Sequence, residues 1–115
     1  MIKLERVYEI EKKPPGYSIL IDRLWPRGIK KEVLKADKWI KDIAPSTPLR
    51  KWFGHDPEKW PDFKRKYKEE LKEKKAILQE IKALEKAHRE ITLLYAAKDE
   101  KHNNALLLKE VLDAF

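Results

Sequence analysis

The sequence predicts a small α/β domain: a layered sheet of about three strands, largely parallel, covered by helices. Three observations carry that reading. Residues 91–97, Ile-Thr-Leu-Leu-Tyr-Ala-Ala, are an uncharged run without polar alternation, as in a strand covered on both faces. Residues 57–88 hold apolar side chains at helical spacing: Phe63, Tyr67 and Leu71, then Leu78, Ile81 and Leu84. The chain has 115 residues, enough for one core, so residues 1–115 are read as a single domain.

Taken in order, residues 2–9 read as a first strand, with Ile2, Leu4 and Val7 set against Lys3, Glu5 and Arg6. Residues 11–16 end in Pro-Pro-Gly and form a loop. Its length suits an antiparallel hairpin, and the paired prolines leave a wider connection open. Residues 17–24 are the second strand, more continuously apolar and therefore more central. Residues 29–34 make a short helical turn, and Asp37 is placed to cap a helix over 38–43. Ala44 to Pro48 ends that helix. Ser46 or Thr47 then caps a further turn over 49–53, with Gly54 as its left-handed end.

Asp56-Pro57-Glu58 is a helix start: Asp as N-cap, Pro at the first helical position, an acid in the first turn. The break at residues 72–75 predicts two helices, near 57–72 and 75–88, or one bent helix. After the strand at 91–97, residues 98–102 turn, Asn103 caps, and 105–112 form the last helix. If the second and last strands are parallel, their ends bring residues 22–27 beside 98–104.

Composition narrows the function classes. With no cysteine, thiol catalysis, zinc–thiolate sites and disulfides are excluded. No apolar run reaches the roughly 18 residues of a membrane span and the start lacks a signal-peptide core, so a cytoplasmic protein away from membranes is expected. Charged residues make up 41% of the chain against about 25% in average proteins. That Lys/Glu excess, with one methionine, reads as thermophilic. The net charge of +7 is uneven: residues 1–57 carry 13 Lys/Arg against 8 Asp/Glu, and residues 91–115 carry 3 against 4. The basic excess favours an anionic partner.

The chemistry-bearing residues follow the strands. Asp22, Arg23 and Arg27 come directly after a buried strand. The arginines are two forks for phosphate or carboxylate, and Asp22 is a candidate acid/base or an orienting group. The alternative is a structural Asp–Arg pair bracing the turn. Lys98, Asp99, His102, Asn103 and Asn104 precede a helix whose free N–H groups suit an anion, with Asp99 a second candidate acid/base. The alternative there is plain capping. Arg50, Trp52 and His55 are placed to close over a ligand, although Trp52 and Phe53 read mainly as core. Trp25, beside Arg27, can stack on a base or aromatic ligand.

The three histidines are too scattered for a metal motif, and with only three glycines no phosphate-loop fingerprint exists, so neither a metal nor a cofactor is expected. The leading reading is a cleft for a small anionic ligand, phosphorylated or carboxylated, after the second and last strands. A nucleic-acid module using Lys12, Lys13, Arg27, Lys30 and Lys31 stands as one alternative. A protein-interaction domain with Asp/Arg braces stands as the other.

Leu20-Ile-Asp-Arg-Leu-Trp-Pro-Arg-Gly28, Ile43-Ala-Pro-Ser46, Trp52-Phe53, His55, Glu70-Leu71 and Thr92-Leu-Leu-Tyr-Ala-Ala-Lys-Asp99 with His102-Asn103 resemble the YeaO-like branch of the domain-of-unknown-function 488 family. The likeness runs in order over nearly the whole chain. It implies a single-domain α/β protein and names no activity. Longer branches of the family often place a cysteine after the last strand. Here Ala97-Lys98 stands in that region, so thiol chemistry does not carry over.

Overall fold

In the computed structural model, four strands form one parallel sheet in the order β1-β4-β2-β3: β1 Ile2–Arg6, β2 Tyr17–Leu20, β3 Lys38–Trp39 and β4 Ile91–Tyr95. The structure describes residues 1–10, 12, 14 and 16–115; the loop reading at Glu11, Lys13 and Pro15 lies outside the described residues. The helices are α1 Lys31–Leu34, α2 Thr47–Phe53, α3 Trp60–Lys72, α4 Lys75–His88 and α5 Asn104–Ala114.

β4 is the centre of the sheet. Every one of its residues is buried, as its uncharged run requires, and it pairs in parallel with β1 on one side and β2 on the other. That placement overturns the hairpin expectation for the first two strands, because β4 lies between them. Gly16 enables the entry into β2. Its φ of +79° is left-handed, and a Cβ there would collide with the Glu90 carbonyl oxygen, which accepts the Tyr17 N–H at 3.0 Å.

The helix expected over 38–43 is also corrected. Asp37 does not cap a helix; its carboxylate accepts the Ser18 N–H at 2.8 Å, and its own N–H donates to the Ser18 carbonyl. Lys38–Trp39 thereby becomes the edge strand β3, and residues 41–43 make a single 3-10 turn. Six residues offer too few helical hydrogen bonds to compete with an open sheet edge. β1 stops at Arg6, short of residue 9, and β2 stops at Leu20, although the Ile21 N–H still donates to the Leu94 carbonyl at 3.1 Å.

The two faces of the sheet are covered unequally. Ile19, Ile21, Leu93 and Tyr95 pack into the main core with side chains from α2 to α5. Val7, Leu20, Leu34 and Leu94 form a thinner layer on the other face, with Trp25 and Trp39 against it. The stripe of Phe63, Tyr67, Leu71, Leu78 and Ile81 is buried as its spacing requires. Two separate helices, α3 and α4, carry it. Caps fall where the sequence places them: the Ser46 side chain accepts from Leu49 N–H, Gly54 ends α2 in the left-handed region, and Asn103 accepts from Leu106 N–H. Among the described residues, no helix is long and apolar enough to cross a membrane.

Candidate functional site

β2 and β4 are adjacent, parallel and end level, with Leu20 opposite Leu94. Beyond them the chain diverges: after β2 it heads for the edge strand β3, and after β4 it enters α5. Such a divergence opens a crevice at the carboxyl ends of the strands. Here the crevice is a cavity of about 580 Å³ lined by Asp22, Arg23, Trp25, Arg27, Arg50, His55, Lys98, Asp99, His102, Asn103 and Asn104, whereas Trp52 does not line it and packs against the main core.

Asp22 ties the two strand ends together. One carboxylate oxygen accepts the Ala96 N–H at 2.9 Å and the other accepts the Asn104 amide at 3.3 Å, while its carbonyl accepts the Trp39 indole N–H at 2.7 Å. Loss of hydration pushes its carboxyl above the ordinary value. The Asn104 and Ala96 hydrogen bonds and the nearby Arg50 and His55 oppose that rise. Each oxygen is thus engaged by one protein donor and retains further acceptor capacity.

Arg23 is a brace. Its guanidinium donates to the carbonyls of Ala44 (3.2 Å) and Pro45 (3.3 Å), and Asp42 lies 3.9 Å away. The segment 42–46 that it grips is held from behind as well. Glu70 accepts both the Ser46 N–H at 2.8 Å and its hydroxyl at 2.5 Å, the Tyr67 hydroxyl donates to the Ile43 carbonyl at 2.7 Å, and Lys74 donates to the Ala44 carbonyl at 3.1 Å. Tyr67 is fully buried, and its phenol is pushed far above the usual range by that burial, with the charges of Asp22 and Glu70 adding to the rise. One wall of the cleft is thus fixed rather than mobile.

Asp99 organises the start of α5. Its carboxylate accepts the N–H groups of Lys101 (2.9 Å) and His102 (3.1 Å) and contacts the His102 imidazole at 2.9 Å. The Lys101 N–H and the His102 side chain hold its carboxyl below the ordinary value. Asn103 is buried; its amide donates to the Asp99 carbonyl at 2.9 Å while its oxygen caps α5. Trp25 is pinned by its indole N–H to the Ile29 carbonyl and meets Trp39 edge-on at 5.4 Å.

Four basic groups at the cleft remain exposed: Arg27, Arg50, His55 and Lys98. Among the described residues, no ion pair or side-chain hydrogen bond engages Arg27, Arg50 or Lys98, although Arg50 lies close enough to Asp22 to act on its charge. His55 sits at a left-handed φ of +58° beside Phe53. Lys12, Lys30 and Lys31 are exposed but do not line the cleft. The charge array is therefore concentrated rather than continuous.

Sequence reasoning missed the cavity's apolar floor. Phe53 and Phe63 stack at 4.3 Å and 23° and line the same space as Pro45, Ala96 and Ala97. Phe53 was legible only as core, since nothing local marks a buried ring that also borders a cleft. The Ser46–Glu70 contact spans 24 residues and carried no signal in the sequence. Among the described residues, no group of three or more acidic or histidine side chains is arranged to hold a metal ion.

The comparisons with known proteins agree over the full length of the chain. A family model described as the inactive DUF488-N3 subclade matches residues 1–114. The uncharacterized protein YeaO of Escherichia coli (strain K12) is 43% identical over 111 residues, covering 96% of each chain. The uncharacterized protein Rv3073c of Mycobacterium tuberculosis (strain H37Rv) is 35% identical over 112 residues, covering 97% of this chain and 93% of the relative. No solved structure matches.

Proposed function

Starting from a chain that belongs to the inactive DUF488-N3 subclade of YeaO-like proteins, we propose that it binds a small phosphorylated or carboxylated molecule in the β2/β4 cleft. The observation that carries this reading is the trio Arg27, Arg50 and Lys98, three exposed cations lining one opening, none of them in an ion pair among the described residues. Guanidinium and ammonium groups left unpaired in a concave site favour an oxyanion, and field lines focused between low-dielectric walls strengthen the attraction. Arg23, Asp22 and Asp99 serve as the frame. The word inactive in the family's description fits a binding role without turnover.

A second reading, acid/base turnover, has one observation in its favour. Asp22 is a desolvated carboxylate whose affinity for a proton is raised, and it lines the cavity. In that reading Asp99 keeps His102 oriented through the 2.9 Å contact.

A thermal-shift screen of phosphorylated metabolites, nucleotides and organic acids, on wild type and Arg27→Ala, tests the binding reading. The Arg27 guanidinium is exposed and, among the described residues, in no ion pair, so its removal changes the unliganded melting point little, within about 0.5 kcal/mol of stability. A ligand present at 100 times its Kd stabilises wild type by about 2.7 kcal/mol, and that gain shrinks in the variant. If no anion raises the melting point, or both proteins respond alike, the reading fails.

A further inference from the structure

The cleft is two-sided in chemistry. Its opening carries cations, while its interior is bordered by stacked rings and methyl groups. A site evolved for a bare phosphate or a short carboxylate has no use for an apolar floor, since such ions remain fully hydrated on one side. We propose that the ligand is a compound whose oxyanion meets Arg27, Arg50 and Lys98 and whose planar aromatic body lies over the Phe53–Phe63 floor. This rests on the anion-binding reading and deepens it by giving the ligand its second half.

Three observations converge on an aromatic body. Phe53 and Phe63, which line the cavity, stack at 4.3 Å and 23°, and Trp60 backs Phe63 at 5.6 Å from outside the cavity. Residue 97, which lines the cavity and packs against the same core as Phe53 and Phe63, is an alanine whose side chain ends at a single methyl group. Trp25, held by its indole hydrogen bond, lines the same cavity and offers a further ring. A volume of about 580 Å³ exceeds what an inorganic anion occupies and falls within the ordinary range for small-molecule pockets. Aromatic groups gain from offset or edge contacts beyond the area they bury.

Calorimetric titration of the full chain with phenyl phosphate, methyl phosphate and benzyl alcohol separates the two halves. Phenyl phosphate is expected to bind at least about tenfold tighter than methyl phosphate, a difference of about 1.4 kcal/mol. Ala97→Leu, which fills the floor, is expected to abolish that advantage while leaving methyl phosphate within about twofold. A parallel benzoate and acetate pair assigns the head group, and a tenfold preference in either pair supports the proposal. Equal affinities within both pairs, or equal losses for both phosphates in Ala97→Leu, overturn the aromatic body and leave anion binding standing. Failure of all four anions overturns both readings. Benzyl alcohol binding as tightly as phenyl phosphate removes the oxyanion and overturns the proposal as stated. Should Ala97→Leu not fold, judged by its melting curve, the wild-type ratios decide alone.

Discussion

Phe63→Ala is expected to lower the free energy of unfolding by about 3–5 kcal/mol and to dissolve the floor of the cleft. Phe63 is 2% exposed and touches three other rings: Phe53 at 4.3 Å, Trp60 at 5.6 Å and Tyr67 at 5.8 Å. Truncation loses the transfer energy of the ring and leaves a void, because neighbours held by their own hydrogen bonds cannot collapse into it. Tyr67 is fixed to the Ile43 carbonyl and α2 is fixed by Ser46, so relaxation is limited. Denaturant unfolding followed by near-ultraviolet circular dichroism reads both effects, the loss in midpoint and the loss of ring asymmetry. A cost below about 1 kcal/mol would mean that the ring cluster is not part of the cooperative core.

Asp22→Asn is expected to cost about 1–3 kcal/mol, although the side chains have nearly the same shape. The carboxylate accepts from two donors, the Ala96 N–H and the Asn104 amide. An asparagine can present its oxygen to one of them and must set its own NH2 against the other. The partners it joins, Ala96 just after β4 and Asn104 at the start of α5, lie 74 and 82 residues away in the chain, so the lost bond is also the tie across the cleft.

The pH dependence has a definite sign. The folded-state value of Asp22 lies above its ordinary value of 3.8, mainly through desolvation, so the folded chain holds this proton more firmly than the unfolded chain. Its contribution is fully present below the ordinary value and is lost as pH rises through the folded value. Wild type therefore gains stability relative to Asp22→Asn as the pH falls from neutral toward 3.8, and the deficit of the variant widens. Asp99 acts oppositely: its lowered value gives stability above the ordinary range that is lost in acid. Paired denaturation curves across that range check the difference, and a deficit independent of pH would place the Asp22 carboxylate in water.

Local chemistry made much of this legible. The uncharged run at 91–97 announced a strand buried on both faces, and β4 is the fully buried centre of the sheet. Ser46, Gly54 and Asn103 act through side chains or glycine conformations that work within a few residues, so their sequence neighbourhood suffices. The charged residues after β2 and β4 fall in one cavity because parallel strands must end on the same side.

What escaped was set by distant partners. Nothing near residues 1–20 reveals that β4 will lie between β1 and β2. The edge strand β3 read as helix because Trp39, Ile40 and Ile43 have helical spacing, whereas the Ile40 N–H donates to the Leu20 carbonyl at 2.9 Å. Arg23 read as a ligand fork, yet its guanidinium grips the backbone of residues 44 and 45. Whether an arginine braces or binds depends on which carbonyls the fold brings to it.

The central claim is that the β2/β4 cleft takes an oxyanion through Arg27, Arg50 and Lys98. Backbone-amide chemical shifts of the labelled protein, followed while inorganic phosphate is added at fixed ionic strength, test it most directly. The account predicts saturable shifts confined to residues 22–27, 44–45, 50–55, 63 and 96–104, the segments that border the cavity. Shifts spread over the lysines of α3 and α4, or scaling with ionic strength alone, would contradict it and leave the cleft a structural seam.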